Sequence, residues 1–325
     1  MMRFRLFETT SIENRNAAID LLRGLAMLVL IIETFLVNYQ LLLSWLWHAQ
    51  WNGLGLADLG VPIFLLAMGM SYELSFQKRI QQHSKIALIV HFLKRYLILF
   101  IFGLLGTILA LGHWQWEILQ VIGAVGIYTL FFMFYRPIVR LLWAMVLAIV
   151  YQLTILDGAY QWVYAFEKSG LGGPYATLSW GFIVILGSVL MHYLNKQRKQ
   201  QQMKSLILII LLLLIISCLL NLWIPFNKHL VSLSYLVFGS AVACLGYLIF
   251  LEIADKWSKP LTVLRSLGKN PLVCYILSQL LIFLVSKLLP DNTKILLLLS
   301  VGLIIVLICI SLTYFLDTKR AYIRL

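Results

Sequence analysis

Four polar residues with catalytic potential crowd into one aromatic stretch. Asn38, His48, Asn52 and Asp58 lie between Asn38-Tyr39 and Ala57-Asp58, with Trp47-His48-Ala49-Gln50-Trp51-Asn52-Gly53 at the centre. Histidine is the side chain whose charge ordinarily changes between pH 5 and 8, so His48 is a candidate for moving a proton. A lone histidine is more often structural, and spacing alone leaves both readings open. Trp45, Trp47 and Trp51 are membrane-interface residues, with amphipathic rings suited to the boundary between hydrocarbon and water. Upstream, Asp20, Arg23 and Glu33 interrupt an apolar run. Ionisable groups at that depth cost at least about 2.5 kcal/mol each on insertion scales, which marks them as functional candidates. Asp20 and Arg23, three residues apart, share a helix face and read either as a structural ion pair or as part of a site. Glu33, about 20 Å farther along at 1.5 Å per residue, reads either as a hydrogen-bonded carboxyl facing another helix or as a site residue.

The elements that position these residues follow from composition. Of 325 residues, 62% are hydrophobic and 12% charged, with mean hydropathy +0.91, whereas soluble domains carry about 25% charged residues. The chain is therefore expected to be an all-α, polytopic integral membrane bundle. Runs of about 20 apolar residues, the length that crosses roughly 30 Å of hydrocarbon, occur at 17 to 38, 56 to 76, 86 to 111, 117 to 135, 137 to 156, 175 to 194, 205 to 224, 230 to 251, 270 to 289 and 294 to 316. Ten helices in one bundle are expected. The runs are too long and too uniformly apolar for a transmembrane β-barrel. The first run holds Asp20, Arg23 and Glu33 and lacks a small-residue cleavage site, so it does not read as a signal peptide. Spans 205 to 220 and 294 to 310 are nearly pure Leu, Ile and Val and suit lipid-facing positions. Span 230 to 251 carries Ser232, Ser234, Gly239, Ser240, Ala241, Ala243 and Gly246, small residues that let helices approach closely inside a bundle.

The net charge of +13 resolves into an orientation. With the amino terminus in the cytoplasm, nineteen basic residues fall in cytoplasmic segments, and only Lys168, Lys228, Lys287 and Lys294 fall outside. This positive-inside pattern predicts both termini in the cytoplasm and His48 outside. It also removes the need for a nucleic-acid partner, because topology and anionic headgroups account for the excess. Cys218, Cys244, Cys274 and Cys309 lie inside spans without metal-ligand spacing and read as packing residues, so no metal is expected. There is no P-loop, dinucleotide fingerprint or Gly-x-Ser-x-Gly elbow.

Several segments together resemble the heparan-α-glucosaminide N-acetyltransferase family of transmembrane acyl-CoA-dependent acyltransferases. They are Ile19-Asp20-Leu21-Leu22-Arg23-Gly24-Leu25, then His48-Ala49-Gln50-Trp51-Asn52-Gly53-Leu54, and Ala57-Asp58-Leu59-Gly60-Val61-Pro62-Ile63-Phe64 with Gly69. Ile118-Leu119-Gln120 with Ile122-Gly123, Asn227-Lys228 with Ser234-Tyr235, and Leu267-Gly268-Lys269-Asn270-Pro271-Leu272 with Tyr275 extend the likeness. It spans residues 15 to about 280.

The resemblance implies transfer of an acetyl or other acyl group from cytoplasmic acyl-CoA to an amine or hydroxyl of a sugar or glycan across the membrane, with the loop histidine catalytic. The implied domains are a cytoplasmic segment 1–16, a transmembrane acyltransferase domain 17–316 and a cytoplasmic tail 317–325. A bacterial cytoplasmic membrane is the expected location, and the family allows a homodimer. Because a thioester is already activated, the site must position it, deprotonate the acceptor and stabilise an oxyanion. His48 then serves as general base or acyl relay. Asn38 and Asn52 are amide donors, and Asp58 either holds the histidine tautomer or favours its helix start. Arg23, Lys94, Arg95, Lys269 and Asn270 are candidates for the CoA phosphates, against a plain reading as snorkelling side chains. Asn227, Lys228, Glu33 and Asp20 are candidates for the acceptor. One departure stands out: the asparagine that the family carries fourteen residues after its aspartate falls on Thr34, and Asn38 takes that role only after a small insertion. The competing function is a secondary transporter of a small polar solute or lipid-linked sugar, which would carry similar buried charges but show a repeat and broken helices in matching places.

Overall fold

An apolar segment in hydrocarbon must satisfy its own backbone N–H and C=O groups, and a helix does so within itself. The computed structural model describes residues 16–38, 51–164, 170–254, 256–257, 261–290 and 293–322, and its regular elements among them are all helical. The ten expected spans coincide with long helices: α1 (Ala17–Asn38), α2 (Gly60–Ile80), α3 (Lys85–Leu111), α4 (Ile118–Phe132), α5 (Pro137–Thr154), α7 (Thr177–Leu194), α8 (Lys199–Asn221), α9 (Leu233–Ile253), α11 (Pro271–Leu288) and α12 (Ile295–Thr318). Short helices α6 (Tyr160–Tyr164) and α10 (Thr262–Lys269) have no counterpart among those spans.

Among the described residues, eight helices are long and apolar enough to cross a membrane. Two further long helices differ from these eight. Helix α1 carries Asp20, Arg23 and Glu33. Helix α4 has 15 residues, about 22 Å at 1.5 Å per residue, because the chain turns at Met133 to Arg136 before Pro137 opens α5. The protein is an all-helical, polytopic membrane protein.

Local chemistry sets the helix ends. The Ser84 hydroxyl accepts from the Ala87 N–H at the start of α3, and left-handed Gly112 (φ 74) closes its end with an N–H to the Ile108 carbonyl. Between α10 and α11, Pro271 has no N–H to donate and drives Asn270 out of the helical region (φ −125, ψ 53).

The chain folds as two compact units. Of the described residues, those within 16–38, 55–64 and 246–322 form one, and those within 51–54 and 65–245 the other. In the first, Met27, Ile31 and Phe35 recur every fourth residue of α1 and pack with Leu267, Cys274, Ile282, Leu298, Ile305 and Cys309. Helices α1 and α10 touch backbone to backbone. A Cβ at Gly24 would strike the Leu264 carbonyl oxygen, and one at Gly268 would strike that of Asp20. In the second unit Gly69 lies against the Val184 carbonyl and Gly187 against that of Leu66, joining α2 to α7 in the same way. These two helices are 72% and 78% buried over their spans, whereas α8 and α12 are 17% buried and leave their Leu and Ile side chains for lipid. Three of the cysteines are buried packing residues, and Cys218 faces outward.

Candidate functional site

His48 lies outside the described residues, as does the side chain of Asn38. The stem that follows His48 is described, and the chain holds it firmly. In the second unit Trp51-Asn52-Gly53 runs along the loop after α8. The Gly53 N–H donates to the Phe226 carbonyl at 2.8 Å. The Asn227 amide donates to the Asn52 side-chain oxygen at 3.1 Å. Trp51 and His229 stack, with ring centroids 5.6 Å apart and planes 16° from parallel.

The 225–232 loop is fixed from within and from neighbouring helices. Asn227 Oδ1 accepts from the Leu230 N–H at 2.8 Å, and the Ser232 hydroxyl accepts from the Asn227 N–H at 3.0 Å. The Tyr151 hydroxyl donates to the Leu230 carbonyl at 2.7 Å, the Ser179 hydroxyl to the Val231 carbonyl at 3.0 Å, and Gln152 Oε1 receives the Leu233 N–H at 2.9 Å. Asn227 is thus engaged through both ends of its amide and shapes the loop. The Asn52 amide nitrogen makes no such bond among the described residues, and Asn52 is exposed.

Lys228 is nearly buried, and its charge acts on Glu117, the residue that caps α4. Burial pushes the Glu117 carboxyl up to about 7, although the Gln115 amide at 2.8 Å and the Lys228 ammonium both favour the carboxylate. Glu117 stood only at the edge of an expected span, with no sequence neighbour to mark it.

In the first unit the matched segments around Asp20 and Gly268 meet. Asp20 is buried, pairs with Arg23 one turn on, and has the Arg265 Nε 4.0 Å from its other oxygen. Two guanidiniums therefore share one carboxylate. Lys269 is differently placed, with its ammonium 2.7 Å from each oxygen of Asp317. Asp317 also accepts from the Tyr322 hydroxyl at 2.7 Å. The Asn270 amide donates to the Ala321 carbonyl at 3.2 Å. Lys269 and Asn270 thus tie α10 and the start of α11 to the end of α12. Asp58 is buried at the entry to α2 and accepts from the Gly55 N–H at 2.7 Å, a local capping bond. Glu33 is half-buried on α1, Lys94 is exposed on α3, and the Arg95 guanidinium lies 5.6 Å from the centre of the Tyr96 ring.

A further charged cluster in the second unit was not expected. Glu73 of α2 receives the Arg140 guanidinium at 2.8 Å, His192 Nδ1 at 2.6 Å and the Gln77 amide at 3.0 Å. Arg140 and Glu73 are each 1% exposed. The loop count treats Arg140 as an extramembrane cation, but it lies on α5, buried against α2.

A family model described as an acyltransferase domain, acyltransferase 3, matches residues 16–314. The chain belongs to the acyltransferase-3 family. Over 137 residues, 38% of this acyltransferase-3 chain, it is 30% identical to heparan-alpha-glucosaminide N-acetyltransferase of Mus musculus, and the match covers 20% of that relative's length. The family model is that of an acyltransferase domain, and it covers the helices described above.

Proposed function

We propose that this protein transfers an acetyl or other acyl group from acyl-CoA to an amine or hydroxyl of a sugar or glycan, with His48 as general base or acyl relay. The observation that carries the reading is the Asn52–Asn227 hydrogen bond. It joins two motifs 175 residues apart that the family resemblance picks out separately, beside the stem of the His48 loop. His48 precedes Trp51 by three residues, which at full extension is at most about 11 Å of chain.

The chemistry follows from these placements. Asn52 uses its oxygen on Asn227, so its amide N–H groups are the ones left to orient an acceptor or meet the oxyanion of a tetrahedral intermediate. His48 removes the acceptor proton. On the donor side, the two guanidiniums that meet at Asp20, those of Arg23 and Arg265, suit a CoA phosphate, whereas Lys269 is held by Asp317. The loop count assigns the Arg23 end of the first unit to the cytoplasm and the 225–232 loop to the outside, so donor and acceptor enter from opposite faces of a bacterial cytoplasmic membrane.

Purified protein in detergent tests the reading. Release of CoA from acetyl-CoA should require a sugar acceptor and should be lost in His48→Ala. Solute uptake by sealed vesicles that is indifferent to acetyl-CoA, with no CoA release, would instead point to a transporter. Rapid quench with labelled acetyl-CoA and no acceptor separates the two roles of His48, because only the relay leaves label on the protein.

A further inference from the structure

The loop that carries Asn227 and Lys228 also presents an imidazole that the acyl-transfer reading does not use. His229 is half-buried and braced against Trp51. Its two nitrogens are not equivalent. Nδ1 is covered and has no hydrogen-bond partner among the described residues, and Gly170 lies over it, with a Cβ built there standing 3.8 Å away. A neutral imidazole carries one N–H, and burying that proton without an acceptor forfeits a hydrogen bond. Nε2 is therefore the nitrogen left to meet a ligand, and with the proton there His229 is an N–H donor.

The backbone is strained to hold this placement. Val231, two residues on, sits at φ 49, a region that a β-branched side chain rarely adopts. Ser179, Tyr151 and Gln152, all on neighbouring helices, impose the conformation through the bonds described above. Strain that the surroundings over-determine is characteristic of sites whose geometry matters. The loop and the zipped stem also present donors: Nε2 of His229 and, across from it in the chain, the amide of Asn52. A ligand that satisfies both donors must offer oxygen acceptors.

We propose that His229 is an acceptor-binding residue, its Nε2–H donating to a hydroxyl or ring oxygen of a carbohydrate, with the Trp51 indole as its brace. The assignment takes the acceptor's role in acyl transfer from the function proposed above. Its geometry is independent of that function.

The test is diethylpyrocarbonate footprinting of the full chain in lipid nanodiscs, read by peptide mass spectrometry without acyl-CoA. Glucosamine, glucose, galactose and glucuronate serve as probes. His229 should be modified in the free protein, and at least one sugar should slow its modification fivefold or more. An unreactive His229, or one that no sugar shields, overturns the proposal. Two variants separate brace from donor. His229→Phe keeps a ring against Trp51 but has no N–H, and should weaken binding of the shielding sugar at least tenfold. His229→Gln places an amide near the position of Nε2 and should recover part of that loss. Unchanged sugar binding in His229→Phe, with a melting temperature equal to wild type, also overturns the proposal. If a sugar shields His229 but acetyl-CoA is never consumed, acyl transfer is the reading that fails and the binding assignment stands.

Discussion

The Lys269 ammonium lies 2.7 Å from both oxygens of Asp317, and the two side chains are 7% and 9% exposed. A bidentate pair this deep is an internal tie between α10 and α12. Removing one partner strands a charge, at a cost of about 3–5 kcal/mol. Asp317→Ala should therefore lower the melting temperature in detergent sharply, and the double variant Lys269→Met with Asp317→Leu should recover most of the loss. If Asp317→Ala melts with the wild type, the tie contributes little.

That pairing shifts the expected donor contacts. Arg23 and Arg265 meet at Asp20, and two guanidiniums side by side are suited to a phosphate. Arg265→Ala should raise the KM for acetyl-CoA at least tenfold and leave kcat within about threefold, because a phosphate contact remote from the thioester is made equally in ground and transition states. Steady-state CoA release at saturating acceptor reads both constants. An unchanged KM removes Arg265 from the donor site.

How much of this was legible in the sequence varies by residue. Asp20 and Arg23 were readable as a pair because helical spacing of three places them together. Arg265 was not, since 242 positions separate it from Arg23 and it is tertiary packing, with the close approach at Gly24 and Gly268, that brings α10 to α1. Glu73 carried the same signal as Asp20, a carboxylate inside an apolar run, and its partner Arg140 was hidden among the cations counted for topology. The ten long helices were legible because hydrocarbon imposes both their length and their composition. Helix α10 was not, because its eight residues are polar enough to resemble a loop.

The close approach of α1 and α10 yields its own prediction. A methyl group at residue 268 would overlap the Asp20 carbonyl oxygen, and neither backbone has room to move without separating the helices. Overpacking of this kind costs about 1–3 kcal/mol or more. Gly268→Ala should reduce the yield of folded protein and should also loosen donor binding, because the displaced backbone carries Asp20. Gly106→Ala is the control, since a Cβ there meets nothing within 4 Å. Size-exclusion recovery and thermal melts of the two variants compare them directly, and equal recovery would mean that the helices can part without consequence.

The Glu73 cluster differs from that tie in how its members should respond. Arg140 and Glu73 are both buried, so removing either leaves its partner charged with no water to take its place. Arg140→Ala and Glu73→Ala should each destabilise by about 3–5 kcal/mol. His192 is 20% exposed and contributes only one of Glu73's three contacts, so His192→Ala should have the smaller effect. Equal melting temperatures for the His192 and Arg140 variants would show that the cluster is not organised around the Arg140 pair.

Glu117 supplies a pH dependence whose sign follows from its burial. In the folded chain its carboxyl titrates near 7, above the ordinary value of 4.5. The folded state therefore holds this proton more tightly than the unfolded chain, and stability falls as pH rises between those values. Below about 4.5 the group is neutral in both states, and above about 7 the unfavourable burial of the carboxylate is fully expressed. The melting temperature should drop between pH 5 and pH 7.5, and Glu117→Gln should flatten that slope by removing the titrating group while keeping an oxygen for the α4 cap. Lys228 resists the effect by favouring the carboxylate, so Lys228→Met should steepen it. A Glu117→Gln protein with the wild-type slope would assign the pH dependence to other groups.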